Sequence, residues 1–363
     1  MSQTSEVIKV MVVDDSAVIR GMVTKALQEN PQIVVISSVM NGKVALSAIK
    51  DAKPDVILLD IEMPEMDGIT ALPLLLEASP KSKVIMVSSL TQRNADISLR
   101  ALQLGATDYL AKPTSKGDRS STDMFFRDLI QKVLALGQAT SAGGAYRQAS
   151  LPPKPVSTAI STTPVTALFT PSAEIRCLAI GSSTGGPQAL MQLFKLMQSR
   201  PVKVPVFITQ HMPATFTKIL AEHLRGASQM PCVEAEDKQE VAAGTIYVAP
   251  GDYHMTPKLE DKQVRILLNQ NPPVNFCRPA VDPMFEALAK LYGRNLLAVV
   301  LTGMGQDGME GAKIVNTYGG NVIAQDEATS VVWGMPGAVA RAGQAKAILP
   351  LNEIAQTLMR VLP

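Results

Sequence analysis

Apolar runs too continuous for a strand with one wet face recur along this chain, and most of them lead into a segment with helical spacing. Val7-Ile8-Lys9-Val10-Met11-Val12-Val13 is the first, and Val18, Met22, Val23, Ala26 and Leu27 then fall at helical intervals between Ala17 and Glu29. The runs Val34–Val39, Val56–Leu59, Val84–Val87 and Ala106–Ala111 follow, with helices expected over Gly42–Ile49 and Met124–Leu136. Strands of this kind joined by helices require crossover connections, so the pattern predicts a (βα)5 open parallel sheet covered on both faces. It also restricts where chemistry can sit. Ligands of such sheets bind beyond the carboxyl ends of the strands. Asp14, Asp15, Asp60, Ser88 and Lys112 all fall just there.

A second α/β pattern occupies the other half, with wider spacing and longer loops. Strands are expected at Cys177–Ile180, Val204–Thr209, Thr245–Ala249, Leu296–Leu301 and Asn321–Gln325, with Gln263–Leu268 either pairing with the strand at Thr245–Ala249 or forming a small hairpin within 253–268. Helices are expected at Pro187–Met197, Phe216–Leu224, Asp282–Tyr292, Met309–Thr317 and Ile354–Leu362. The reading is a mostly parallel, doubly wound sheet. Between the halves the pattern dissolves into Ala139-Thr140-Ser141-Ala142-Gly143-Gly144, Leu151-Pro152-Pro153-Lys154-Pro155 and a Ser/Thr/Ala/Pro tract, with Phe169 the one large aromatic. The expected division is therefore 1–136, a linker at 137–172, and 173–363.

Bulk properties remove whole classes of function. The 363 residues carry 34 Lys plus Arg against 32 Asp plus Glu, a net charge of +2, with no basic run. Nucleic-acid binding has no electrostatic footprint, and no basic helix-turn-helix closes the chain. Three widely separated cysteines build neither a disulfide framework nor a zinc knuckle, which fits a reducing compartment. No apolar run approaches the ~18 residues a membrane helix needs, and the N-terminus lacks a signal pattern. A cytoplasmic location without membrane insertion is the expectation.

In the first half, three carboxylates converging on one cleft repel each other unless a cation joins them, and an all-oxygen set suits Mg²⁺. Lys112 would balance an added anion such as a phosphoryl group. The segments Val12-Val13-Asp14-Asp15-Ser16, Asp60, Met63-Pro64-x-Met66-Asp67-Gly68, Ser88 and Ala111-Lys112-Pro113 resemble the receiver domains of bacterial two-component signalling. The resemblance implies that Asp60 is phosphorylated by a histidine kinase, that Asp14 and Asp15 help Asp60 hold Mg²⁺, and that Ser88 and Lys112 contact the phosphoryl group. It also implies that Tyr109 is the aromatic switch residue, against the plainer reading of a sheet-edge ring.

In the second half, Gly181-x-Ser183-x-Gly185 lies between a strand and a helix, a turn that lifts the middle serine above a sheet beside free helical N–H groups. A bare N-cap at Ser182, Ser183 or Thr184 is the plain alternative. Of three histidines, His211 follows a strand end, where a general base can reach a serine on a neighbouring strand; His254 is the runner-up, and His223 lies inside a helix. Asp307, in the glycine-rich loop after the most apolar strand, is the best-placed orienting carboxylate, ahead of Asp326 and Asp282. Backbone amides near Ser183–Thr184 and in Gly303–Gly305 are candidates for an oxyanion hole.

Ala179-Ile180-Gly181-Ser182-Ser183-Thr184-Gly185-Gly186-Pro187, Gln210-His211-Met212-Pro213, Tyr247-Val248-Ala249-Pro250-Gly251-x-x-His254-Met255 and Leu301-Thr302-Gly303-Met304-Gly305-x-Asp307-Gly308-Met309 resemble the catalytic domain of the bacterial chemotaxis protein-glutamate methylesterases. That resemblance implies Ser183 as nucleophile, His211 as base, Asp307 as orienting acid, and the amides of the Met304 loop around the oxyanion. The family usually has alanine where this chain has Ser182. It further implies hydrolysis of glutamate methyl esters on methyl-accepting chemotaxis receptors with release of methanol, and deamidation of receptor glutamines. The enzyme would act at membrane receptor arrays, restrained by its own receiver domain until a kinase phosphorylates it, with no cofactor in the catalytic half. Two other readings are a nucleotide-binding module, which lacks the glycine fingerprint and a Lys-Ser/Thr pair, and a receiver-controlled output that acts by protein contact alone.

Overall fold

The computed structural model describes residues 7–113, 119–141, 169–171 and 173–363. The first half alternates β1 (Ile8–Val13), α1 (Ala17–Gln28), β2 (Ile33–Val39), α2 (Gly42–Ala52), β3 (Val56–Asp60), α3 (Gly68–Ala78), β4 (Lys83–Ser88), α4 (Gln92–Gln103), β5 (Asp108–Ala111) and α5 (Arg119–Ser141). Its five strands pair in the order β2-β1-β3-β4-β5, all parallel. The central strands explain the unbroken apolar runs: every residue of Val56–Asp60 is buried. Each buried aliphatic side chain of these strands contributes roughly 1.5–3 kcal/mol to the half's stability. Side chains start the helices, Ser16, Asn41, Asp67 and Thr91 each accepting a backbone N–H of the first turn.

The second half runs β6 (Cys177–Ser182), α6 (Gly186–Leu196), β7 (Val206–Gln210), α7 (Ala214–Ser228), β8 (Cys232–Glu234) and β9 (Ile246–Val248). Two small antiparallel pairs follow, β10 (His254–Met255) with β13 (Leu268–Asn269) and β11 (Lys258–Glu260) with β12 (Gln263–Arg265). After them come α8 (Val281–Tyr292), β14 (Leu296–Val300), α9 (Met309–Thr317), β15 (Asn321–Gln325), α10 (Met335–Arg341), β16 (Ala347–Leu349) and α11 (Leu351–Val361). Seven strands form the main sheet in the order β16-β15-β14-β6-β7-β9-β8, and every pairing is parallel. The chain reverses its winding at β6, and the loops after β6, β7 and β14 open on the same rim.

Several elements depart from the sequence expectation. The helix expected over Met124–Leu136 extends to Ser141, so its last turns enter the stretch assigned to the linker. The helix expected over Phe216–Leu224 starts at Ala214, runs on to Ser228 and closes on Gln229 in the left-handed conformation. The short edge strands β8 and β16 and the helix α10 have too few residues to show a period. Phe169 packs against the main hydrophobic core, and its carbonyl accepts from Arg360 Nη2 at 2.8 Å. Positions 142–168 and 172 of the expected linker lie outside the described residues.

The halves are packed together. Gln188 Nε2 of α6 donates to the carbonyls of Leu102 and Ala106, and Asp96 of α4 pairs with His223 Nε2 of α7 at 2.9 Å. Tyr109 stacks on Phe216, centroids 4.5 Å apart. Val332, with Val331 and Met304 beside it, completes the core cluster built on Phe125 and Leu129 of α5. The first half therefore lies over the rim of the second sheet.

Candidate functional sites at the two sheet rims

At the first rim, β1 ends in Asp14 and β3 in Asp60. One oxygen from each of Asp14, Asp15 and Asp60 lies within 4.8 Å of the others. Lys112, just past β5, reaches Asp14 Oδ2 and Asp60 Oδ2, both at 2.7 Å. Burial pushes the Asp60 carboxyl up to about 6, with Asp14 adding to the rise, although Lys112 and the Ile61 N–H pull the other way. For Lys112, burial works against the charge, but the two carboxylates more than offset it and raise its pKa. The site thus holds more negative charge than its own residues neutralise, and its donor set is the hard oxygen set a small divalent cation prefers.

The other two residues expected there point elsewhere. Ser88 Oγ is buried and shares a hydrogen bond with Ser98 Oγ of α4 at 3.0 Å. Tyr109 is only 4% exposed, with Phe216 of the other half stacked on its ring.

At the second rim, Ser182 and Gln210 are partners in the β6–β7 register, so Ser183 and His211 leave neighbouring strands side by side. Ser182 Oγ donates to Gln210 Oε1 at 2.7 Å, and Gln210 Nε2 donates to the Ser183 and His211 carbonyls at 3.0 and 3.1 Å. The extra hydroxyl at 182 is thereby spent on tying the two strand ends together, facing inward and fully buried. Gly303 lets the β14 loop approach, since a Cβ there would lie 2.9 Å from Ser183 Cβ.

His211 Nε2 is 2.7 Å from Asp307 Oδ2. Asp307 is 1% exposed and also accepts from the backbone N–H groups of Val281 (2.6 Å) and Asp282 (3.1 Å) at the start of α8, from Asn275 Nδ2 (3.1 Å), and from its neighbour Gly308 (3.0 Å). Burial would raise its pKa, but the His211 bond and charge and the helix-start N–H groups outweigh that and hold it low. Burial also disfavours charge on His211, yet Cys277 and Asp307 together push it up to about 10. Its second nitrogen, Nδ1, faces Cys277 Sγ at 3.4 Å, and among the described residues the Ser183 hydroxyl makes no hydrogen bond to the ring. The backbone N–H groups of Thr184 and Met304 donate to no protein acceptor among the described residues.

The remaining candidates fall away on geometry. His254 is buried with Nδ1 accepting from Ala280 N–H at 3.2 Å and Nε2 facing the Pro272 carbonyl at 3.2 Å, a structural role. His223 belongs to the contact between the halves, as its helical position allowed. Asp326 caps a turn at Thr329, and Asp282 binds the N–H groups of Gly308 and Gly311 at 2.9 and 2.7 Å. Sequence reasoning missed Asn275 and Cys277, which reach the His–Asp pair from a loop with no periodic signal.

Comparison with known proteins finds two families in succession along the chain. The response regulator receiver domain family matches residues 10–120, and the CheB methylesterase family matches residues 178–358. A protein-glutamate methylesterase/protein-glutamine glutaminase of Paramagnetospirillum magneticum is 49% identical over 371 residues, covering 99% of this chain and 97% of that protein. Its counterpart in Rhodospirillum rubrum is 50% identical, covering 97% of this chain and 95% of that protein. Among solved structures, the CheB methylesterase catalytic domain of Thermotoga maritima is 40% identical with a TM-score of 0.50, covering 52% of this chain and all of that one. No described helix is long and apolar enough to cross a membrane.

Proposed function

This chain belongs to the CheB methylesterase family, with a response regulator receiver domain in front of the catalytic domain, and we propose that it is a phosphorylation-activated protein-glutamate methylesterase and protein-glutamine glutaminase. Its substrates are glutamate γ-methyl esters and particular glutamines of methyl-accepting chemotaxis receptors, so it works at membrane receptor arrays. The observation that carries the assignment of roles is the 2.7 Å bond between His211 and Asp307, with His211 and Ser183 each following directly on the paired strand ends Gln210 and Ser182.

Ser183 attacks the ester carbonyl, and His211 takes its proton while Asp307 fixes the ring and balances the imidazolium. The amides of Thr184 and Met304 receive the developing oxyanion. Methanol leaves with the proton held on His211, and water activated by the same ring clears the acyl-enzyme.

In the receiver domain, Asp60 accepts a phosphoryl group from the chemotaxis histidine kinase, with Ser88 and Lys112 contacting it and Tyr109 responding. Asp14, Asp15 and Asp60 would hold Mg²⁺, which supplies positive charge against the carboxylates and the phosphoryl oxygens. With the domains docked over Met304 and Val332, receptor helices are kept from the rim, and the added charge at Asp60 biases the contact towards release.

The test measures methanol release from methylated receptor membranes with and without a small phosphodonor. The donor should raise the rate in the native chain by about 5–150-fold and leave Asp60→Ala unresponsive. A serine-directed phosphonate should label Ser183, and labelling that persists undiminished in Ser183→Ala sinks the reading.

A further inference from the structure

A histidine acting as a base between a carboxylate and a serine needs one ring nitrogen for each. Here Asp307 has Nε2, but Nδ1 is engaged by Cys277 Sγ at 3.4 Å. The thiol sits on a tight turn in which Val274 and Cys277 exchange backbone hydrogen bonds of 2.9 and 3.1 Å, with Asn275 and Phe276 both in the left-handed region at φ 51° and 64°. Neither is glycine, and an aromatic residue there is strained, so the surroundings must hold the turn in place. Both side chains supply that hold. Asn275 Nδ2 donates to Asp307 Oδ1 at 3.1 Å and to Asp282 Oδ2 at 3.0 Å. Phe276, 78% exposed, lies under the guanidinium of Arg127 on the receiver helix α5, 4.6 Å from ring centroid to Cζ. One four-residue turn therefore touches the orienting acid, the base and the regulatory domain.

We propose that Cys277 is a positioning residue that keeps Nδ1 of His211 occupied, and so withheld from Ser183, while the receiver domain is docked, and that Arg127 on Phe276 is the grip that keeps the turn in that position. The proposal rests on the reading of Ser183 as nucleophile. Sulfur suits the task because its hydrogen bonds are weak, so the hold breaks when α5 lets go. Burial lowers the pKa of His211, and among the groups that raise it against that burial are Cys277 and Asp307, as contact with the ring requires. Regulation by this route acts on the chemistry step and adds to any exclusion of substrate.

The experiment uses the full chain, unphosphorylated, on methylated receptor membranes. Cys277→Ala should raise kcat about three- to tenfold, the strength of one modest hydrogen bond, and leave KM unchanged, whereas simple undocking would move KM. Arg127→Ala should give a smaller rise in kcat and none on top of Cys277→Ala, because both act through one turn. The ¹⁵N resonance of His211 Nδ1, read without substrate, should move in Cys277→Ala. If the alanine variant does not fold, Cys277→Ser carries the resonance measurement, since replacing sulfur at Nδ1 must shift it. A kcat that stays level or falls while Ser183→Ala abolishes turnover, or a resonance that does not move, overturns the proposal and leaves the hydrolase reading standing. Turnover that survives Ser183→Ala sinks the hydrolase reading instead.

Discussion

The two sheet rims are alike in architecture and opposite in electrostatics. At the receiver rim, three carboxylates share one nearby ammonium, and burial lifts Asp60 to about 6. At the catalytic rim, the carboxylate of Asp307 accepts from His211, Val281, Asp282, Asn275 and Gly308, and those donors hold it low against its burial, while burial and Asp307 push the neighbouring Asp282 carboxyl up to about 7. The first rim is left short of positive charge, and a bound cation would relieve it, as the proposed phosphoacceptor role requires. The second is already saturated, and what it lacks is the alignment of one proton acceptor with one hydroxyl. A phosphoacceptor and a hydrolase can thus be cut from the same kind of sheet by changing how completely the strand-end acids are satisfied.

The contrast can be broken most sharply at Asp307. Asp307→Asn keeps the shape but offers N–H where His211 and the start of α8 need acceptors, so kcat for methanol release should fall about 10³-fold or more. A loss under tenfold would mean that saturation at this rim is incidental to turnover.

The receiver rim should respond in stability. The Asp60 carboxyl is raised in the folded state, so its stabilising contribution is complete below the unfolded value of 3.8 and is lost as pH rises through about 6. Asp60→Asn, which removes the ionisation, should therefore raise the melting temperature at pH 8 by an amount on the order of 2 kcal/mol in stability, and the gain should fade as pH falls towards 4. Mg²⁺ should narrow the same gap at pH 8 by supplying the missing charge. A difference independent of pH would remove the electrostatic account of this rim.

The smallest effect concerns the seam between the rims. Gln188→Ala loses its bonds to the Leu102 and Ala106 carbonyls and should raise unphosphorylated turnover about two- to fivefold. A KM that falls as kcat rises would locate the effect in substrate access, the counterpart of the kcat-only change expected at Cys277.

Both sheets were legible in the sequence because their central strands are buried on both faces and leave uninterrupted apolar runs. Asp14, Asp60, Lys112, Ser183, His211 and Asp307 were legible because strand ends in parallel sheets collect on one rim. Contacts made by aperiodic or surface residues were not. Nothing in Val274-Asn275-Phe276-Cys277 announces a turn with two left-handed residues, since the usual sign, glycine, is absent. Tyr109 reads equally as a switch or an edge residue until Phe216 is seen against it. The reach of α5 to Ser141 was hidden because the end of a helix packed by tertiary contacts need not carry its own stop signal.

The carboxylate bonded to His211 is also the group on which α8 begins, receiving the N–H of Val281 and of Asp282. Under the proposed roles, catalytic competence and the integrity of a core helix are inherited together. A lineage drifting towards a silent, purely scaffolding descendant would find Ser183 free to change early, whereas Asp307 would persist as a fossil of the lost activity, retained for the architecture it supports.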